Sequence, residues 1–164
     1  MAKEIERKFL VLNDDWRRSA LSATAFRQAY IASMPDRSVR VRLMDGNRAL
    51  LTLKVGKSAM TRDEYEYEIP LADAEDMMTN AIGVVIEKTR HTLSHAGYLW
   101  EIDVYEGAYR GLVVAEVEMR SETDTPALPG WLGPEVTGDR RYSNQSLATE
   151  DLREEIVYGL SPQT

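Results

Sequence analysis

Strict alternation of charged and apolar side chains, renewed in one segment after another, is what most constrains this chain. Glu4-Ile5-Glu6-Arg7-Lys8 sets Glu4, Glu6 and Lys8 on one face, because successive strand side chains point to opposite sides. The pattern returns in Ser38–Leu43 with Arg40 and Arg42, and in Ala49–Val55 with Thr52 and Lys54. Arg62–Ile69 sets Glu64, Glu66 and Glu68 against Tyr65, Tyr67 and Ile69. Val84–Ser94 carries Lys88 and Arg90, Tyr98–Tyr105 carries Glu101 and Asp103, and Leu112–Arg120 carries Glu116 and Glu118. Phe26–Ala32 is quieter, with Gln28 and Tyr30 sharing a face. Asp45-Gly46-Asn47 and His95-Ala96-Gly97 read as hairpin turns. About eight strands joined mostly by turns predict a mainly β fold, α+β in that short helices flank it, built as an eight-stranded antiparallel barrel or tunnel. Short helices are expected at Trp16–Ala20, Ala72–Asn80 with a cap near Asp73, Asn144–Ala148 and Glu150–Tyr158. The stretch rich in proline and glycine from Pro126 to Pro134 is expected to be irregular.

A charged strand face ordinarily meets water, with the apolar face in the core. The set as a whole argues otherwise. Signs are segregated by strand: Lys8, Arg40, Arg42, Lys54, Lys88 and Arg90 form a basic group, and Glu4, Glu6, Glu64, Glu66, Asp103, Glu116 and Glu118 an acidic one. Like charges at neighbouring same-face positions repel unless something neutralises them. A phosphate chain neutralises the first group, since guanidinium forks match phosphate oxygens and lysine adds point charge. A hard divalent cation neutralises the second, since carboxylate oxygens are its preferred ligands. This reading places the charges in the lumen and the apolar faces outward under the helices.

The chain of 164 residues suits one domain, residues 1–164, and carries a net charge of −7, which disfavours broad nucleic-acid coating. No apolar run nears the roughly 18 residues that span a bilayer, and no secretory apolar region follows Met1-Ala2-Lys3-Glu4. With no cysteine there is no disulfide framework or thiolate metal site, and a cytoplasmic protein is expected. His91 and His95 read as turn or surface residues, and Trp16, Trp100 and Trp131 as packing residues. Neither a Walker phosphate loop nor a Gly-x-Ser-x-Gly elbow is present.

Taken together, Glu4-x-Glu6-x-Lys8, Arg40-x-Arg42, Thr52-Leu53-Lys54, Glu87-Lys88-Thr89-Arg90, Glu101-Ile102-Asp103-Val104, Glu116-Val117-Glu118 and the Asp139–Asn144 stretch resemble the CYTH domain proteins, the triphosphate tunnel metalloenzymes. The resemblance covers nearly the whole chain. It implies a β-tunnel that holds a triphosphate on Lys8, Arg40, Arg42, Lys54, Lys88 and Arg90, with Arg141 or Arg140 reaching in from the C-terminal segment. It implies one or two Mg²⁺ or Mn²⁺ ions on Glu4, Glu6, Glu116 and Glu118, with Asp103 nearby, while Glu64 and Glu66 match acidic tunnel positions. Inorganic tripolyphosphate is the implied substrate of so short a chain, with Glu6, Lys8 and Tyr30 in catalytic roles and Tyr30 orienting Lys8. Alternatives are a class IV adenylate cyclase, a thiamine triphosphatase, or a noncatalytic polyphosphate- or nucleotide-binding module. No membrane or nucleic-acid partner is expected, and the exposed aliphatic strand faces can support a homodimer.

Overall fold

The computed structural model describes residues 3–56 and 58–156. Nine strands run β1 (Lys3–Val11), β2 (Ser22–Met34), β3 (Arg37–Met44), β4 (Arg48–Gly56), β5 (Thr61–Glu68), β6 (Ile82–His95), β7 (Tyr98–Glu106), β8 (Val113–Glu118) and β9 (Leu132–Glu135). Helices α1 (Leu71–Met78), α2 (Asn144–Thr149) and α3 (Arg153–Ile156) flank them. The strands are hydrogen-bonded in the order β5-β4-β3-β2-β6-β7-β8-β1-β9, and β1 also pairs with β5. That pairing closes an eight-stranded antiparallel barrel. Among the described residues closure is narrow: Lys3, Glu4 and Ile5 of β1 face Asp63, Arg62 and Thr61 of β5. Beyond it, β9 takes over the same edge of β1 at Phe9 and Val11.

Local chemistry explains the elements. Asp45 and Gly46 between β3 and β4, and Ala96 and Gly97 between β6 and β7, all adopt positive φ. Ala96-Gly97 form the primed turn that a two-residue hairpin requires, while Asp45-Gly46 turn the three-residue loop Asp45–Asn47 between Met44 and Arg48. The connection from β5 to β6 has another purpose. It runs through α1, and β6 pairs with β2 rather than β5.

Two of the three apolar clusters lie outside the barrel, as the alternation requires. Ala29, Val41, Leu43 and Ala49 pack under Ala74 and Met78 of α1. Phe9, Trp100, Ile102, Ala115 and Val117 form a second outer cluster with Trp16. His91 lies against Trp16 at a ring separation of 4.9 Å. A third cluster lies inside, where Tyr30, Ile86, Tyr105 and Val114, on the same face as Gln28, Lys88 and Asp103, meet Tyr109 and Leu147, Leu152 and Ile156 of the C-terminal segment. Where α2 crosses β6 the approach is close. A Cβ on Gly83, whose φ is +71°, would lie 1.9 Å from the Ala148 carbonyl oxygen.

Several boundaries differ from the sequence reading. β2 begins at Ser22 because Ser22–Ala25 continue the ladder with Thr89–Thr92 of β6, though small residues hide the alternation. β9 falls within the stretch expected to be irregular; its Gly133 and Pro134 suit only an edge strand. The Trp16–Ala20 helix is a single 3₁₀ turn, Asp15–Ser19. α1 starts at Leu71, with Asp73 in its first turn rather than capping it. The last helix covers Arg153–Ile156, and its expected end at Tyr158 lies outside the described residues. Among the described residues, no helix is long and apolar enough to cross a membrane.

Candidate active site

Strand order arranges the charges into two arcs. The run β4-β3-β2-β6 brings Lys54, Arg40, Arg42, Lys88 and Arg90 onto one continuous wall. The run β7-β8-β1-β5 brings Glu101, Asp103, Glu116, Glu118, Glu4, Glu6, Glu64 and Glu66 onto the wall facing it. Lys8 stands within the acidic arc, directly across from Glu116. Between the walls lies a cavity of about 360 Å³, lined by Glu4, Glu6, Lys8, Tyr30, Arg40, Arg42, Lys54, Glu64, Glu66, Arg90, Glu116 and Glu118. Its floor is the C-terminal segment Ser143, Asn144 and Gln145. A recess of about 460 Å³ adjoins it, sharing Glu6, Lys8, Lys54 and Arg62 and extending to Arg37 and Arg140.

The basic arc is buried and pinned by neutral or acidic partners. Arg42 Nε donates to Gln28 Oε1 at 2.8 Å, and its guanidinium stacks on Phe26 with the ring centroid 4.2 Å away. Burial, then the charges of Arg40 and Arg90, push the Arg42 guanidinium below its ordinary range. Arg40 Nη2 donates to Thr52 Oγ1 at 3.4 Å, and Thr52 Oγ1 donates to Glu66. Two buried donors in this wall, Arg40 Nε and Gln28 Nε2, have no hydrogen-bond partner among the described residues. Unsatisfied buried donors are rare and costly. An anion in the lumen supplies the missing acceptors.

The acidic arc shows the complementary imbalance. Glu6 and Glu118 are direct cross-strand partners, a repulsive juxtaposition. Burial, then the neighbouring Glu116 and Glu4, raise Glu6 well above the ordinary carboxylate range. Glu6 has no ion pair among the described residues, whereas Glu4 accepts from Lys54 Nζ at 3.0 Å and Glu116 lies 3.5 Å from Lys8 Nζ. Burial would raise Glu116, but Lys8 and Arg90 outweigh it and hold the group well below the carboxylate range. Glu64 is pushed up to about 7, by burial and then by its hydrogen bond with Glu4. Hard oxygen donors with an uncompensated buried member fit a divalent cation such as Mg²⁺ or Mn²⁺. Among the described residues, no three acidic side chains are drawn together around one point. Mutual repulsion, and the grip of Lys54 and Lys8, account for that spacing.

Four residues expected in the site are placed differently, the first being Lys88, which is fully buried on Asp103 and Asn144 and does not line the cavity. Asp103 lies on the lumen face but is buried and does not line the cavity, its carboxylate gripped by Arg90 Nε at 2.8 Å, Arg90 Nη2 at 2.9 Å and Lys88 Nζ at 2.6 Å. Burial opposes its ionisation, but Arg90 and Lys88 prevail and hold it well below the carboxylate range. Burial lowers Lys88 to about 7 despite Asp103; the short contact favours the ionised pair. Asp103 therefore orients two cations rather than presenting oxygens to the cavity. Glu101, on the same strand face, does line it, accepting from Arg90 Nη1 at 3.2 Å. Arg141 turns outward, paired with Asp139 at 2.7 Å and half exposed. Tyr30 lines the cavity, but the Lys8 ammonium donates to the Tyr142 carbonyl at 3.1 Å, with no hydrogen bond from Tyr30 among the described residues.

The sequence reading left Glu101, Arg62 and the Ser143–Gln145 floor out of the site. Alternation already put Glu101 beside Asp103, but only the barrel's curvature tells which of them opens inward. Nothing local marked Ser143–Gln145 as a floor.

Comparison with known proteins agrees with this architecture. Residues 2–151 match the CYTH domain family. The chain is 41% identical over 148 residues to an inorganic triphosphatase of Acetivibrio thermocellus, covering 90% of this chain and 94% of that protein. It is 38% identical over 149 residues to an inorganic triphosphatase of Nitrosomonas europaea, covering 88% and 96%. A crystal structure of an inorganic triphosphatase superposes with a TM-score of 0.66 at 35% identity, covering 92% of this chain and 97% of that one. A Pyrococcus horikoshii protein of 19% identity shares the fold alone, with a TM-score of 0.60 over 73% of this chain and 80% of that one. By sequence and by fold, this chain belongs to the CYTH domain family.

Proposed function

We propose that this protein hydrolyses inorganic tripolyphosphate to pyrophosphate and orthophosphate in its charged lumen, with Mg²⁺ or Mn²⁺ as cofactor. The observation that carries the reading is the opposition of two arcs in one closed cavity. One arc has buried donors without acceptors among the described residues, Arg40 Nε and Gln28 Nε2. The other has a buried carboxylate, Glu6, crowded by Glu116 and Glu4 and without an ion pair among the described residues. A triphosphate with a divalent cation satisfies both. The curated relatives, inorganic triphosphatases at 38–41% identity, support the choice of substrate.

Glu4, Glu6, Glu116 and Glu118 would hold the cation, which supplies Lewis-acid polarisation of phosphoryl oxygens and acidifies the attacking water. Arg40, Arg42, Lys54 and Arg90 spread along the phosphate chain and neutralise its charge. Arg42, fixed by Gln28 and Phe26, and Arg90, fixed by Asp103, are oriented before substrate arrives. Such preorganisation is the main source of phosphoryl-transfer catalysis, because the transition state needs charge stabilisation more than covalent help. Lys8, the cation within the acidic arc, stabilises the departing pyrophosphate. We place the enzyme in the cytoplasm, as a chain without cysteine needs no oxidising compartment to fold. Exposed Leu53 and Tyr67 on the outer sheet face offer a surface to a second copy, which sedimentation would reveal.

The test is product release from tripolyphosphate, thiamine triphosphate, ATP and pyrophosphate, with each metal and with chelator. Fast release from tripolyphosphate alone, abolished by chelator and restored by metal, is expected. Cyclic AMP from ATP, or faster turnover of an organic triphosphate, would move the substrate. Binding without turnover of any compound would leave a binding module.

A further inference from the structure

Asn144 was not among the residues expected to contact substrate, yet its surroundings assign it a task. It opens α2, whose start is set by Ser143 Oγ accepting from the Ser146 N–H at 3.1 Å. Its Oδ1 accepts from two buried donors, Tyr105 OH at 2.6 Å and Lys88 Nζ at 3.2 Å. An amine donates and an amide nitrogen cannot accept, so the arm facing Lys88 must be the oxygen. The orientation of the amide is thereby determined by its partners. Its Nδ2 group, with two hydrogens, is left without an acceptor among the described residues, while Asn144 lines the lumen. The neighbouring floor residues are anchored by other bonds. Gln145 Nε2 donates to Ser33 Oγ at 2.7 Å and to the Met34 carbonyl at 2.8 Å, and the Tyr142 carbonyl receives Lys8. The floor therefore holds its place without the Nδ2 hydrogens.

We propose that Asn144 is a substrate-binding residue: its Nδ2 donates to a phosphate oxygen of the bound polyanion, while its Oδ1 holds Lys88 and Tyr105. The proposal deepens the triphosphatase reading and rests on it for the identity of the anion. A neutral amide is well suited to the position. It adds a directed donor beside Lys88 and Arg90 without adding a further charge to a wall that already concentrates cations. It also couples the floor to the ligand, so that the α2 segment and the basic arc contact the same phosphate chain.

A double-mutant cycle separates direct contact from action through Lys88. The measurement is tripolyphosphate affinity by calorimetry in chelator, which needs neither metal nor turnover, with thermal melts to confirm folding. Asn144→Ala should weaken binding about tenfold, the size of one hydrogen bond to a charged acceptor. It should weaken binding by a similar factor in a Lys88→Met background, where no anchor to Lys88 remains to be lost. Should Lys88→Met not fold, Lys88→Leu serves as the second background. Unchanged affinity in Asn144→Ala, or no further loss in either background, would overturn the proposal and leave Asn144 an anchor only. Tripolyphosphate bound by the wild type with this dependence but not hydrolysed would retain the Asn144 contact and reject the hydrolase. No binding by the wild type would reject both.

Discussion

At the residue scale, two carboxylates separate function from support. Glu6 is buried among like charges and forms no ion pair among the described residues. Glu6→Gln should lower metal-dependent turnover by about a hundredfold or more, since a neutral amide is a poor ligand for a hard cation. The same change relieves repulsion, so the metal-free melting temperature should stay level or rise. A metal-dependent kcat at the wild-type level would remove Glu6 from the metal site. Asp103 should behave in the opposite way. It is the buried counter-charge of both Lys88 and Arg90, so Asp103→Ala should cost about 3 kcal/mol in denaturant unfolding, with loss of activity following loss of order. The sequence put Asp103 and Glu101 on one face without ranking them. Which one meets the cavity depends on side-chain packing around Arg90, which no spacing encodes.

At the element scale, α2 links stability to binding. Gly83 allows β6 to pass under Ala148, so Gly83→Ala should displace α2 and destabilise the fold by about 2 kcal/mol or more. Because α2 begins with Asn144, the variant should also raise KM for tripolyphosphate while the barrel persists; urea unfolding and steady-state kinetics check both effects. A normal KM with reduced stability would show that the floor tolerates displacement. The core strands were legible from alternation, and the two hairpin turns from Asp45-Gly46 and Ala96-Gly97. β9 was not, because its place is decided by the edge that β5 leaves open on β1, not by its own residues.

At the scale of the whole molecule, the opposed arcs make stability and metal binding depend on pH in opposite senses. Glu64 holds its proton to about 7 in the fold against an ordinary value of 4.5, and Glu6 is raised in the same direction. The folded chain then binds more protons than the unfolded one, so metal-free stability falls as pH rises from about 4.5 through 7. Asp103, Glu116 and Glu4 are lowered, so their contribution is present above ordinary carboxylate values and is lost as pH falls through their folded values. A metal-free maximum near pH 5 follows, and Mn²⁺ affinity should increase from pH 6 to about 8 as the raised carboxylates ionise. Thermal melts in chelator and metal titrations across that range test it; melts that rise steadily to pH 8 in chelator would contradict the assignment. The amino-acid sequence by itself determined which side chains share a face and which sign each strand carries, because the pleat has a period of two wherever a strand forms. Only the tertiary structure decided which strands stand side by side. The β5-to-β6 crossover through α1 and the closure of β1 on β5 collect the basic strands into one arc and the acidic strands into the other. Those contacts join residues far apart in the chain, and a local period carries no information about them.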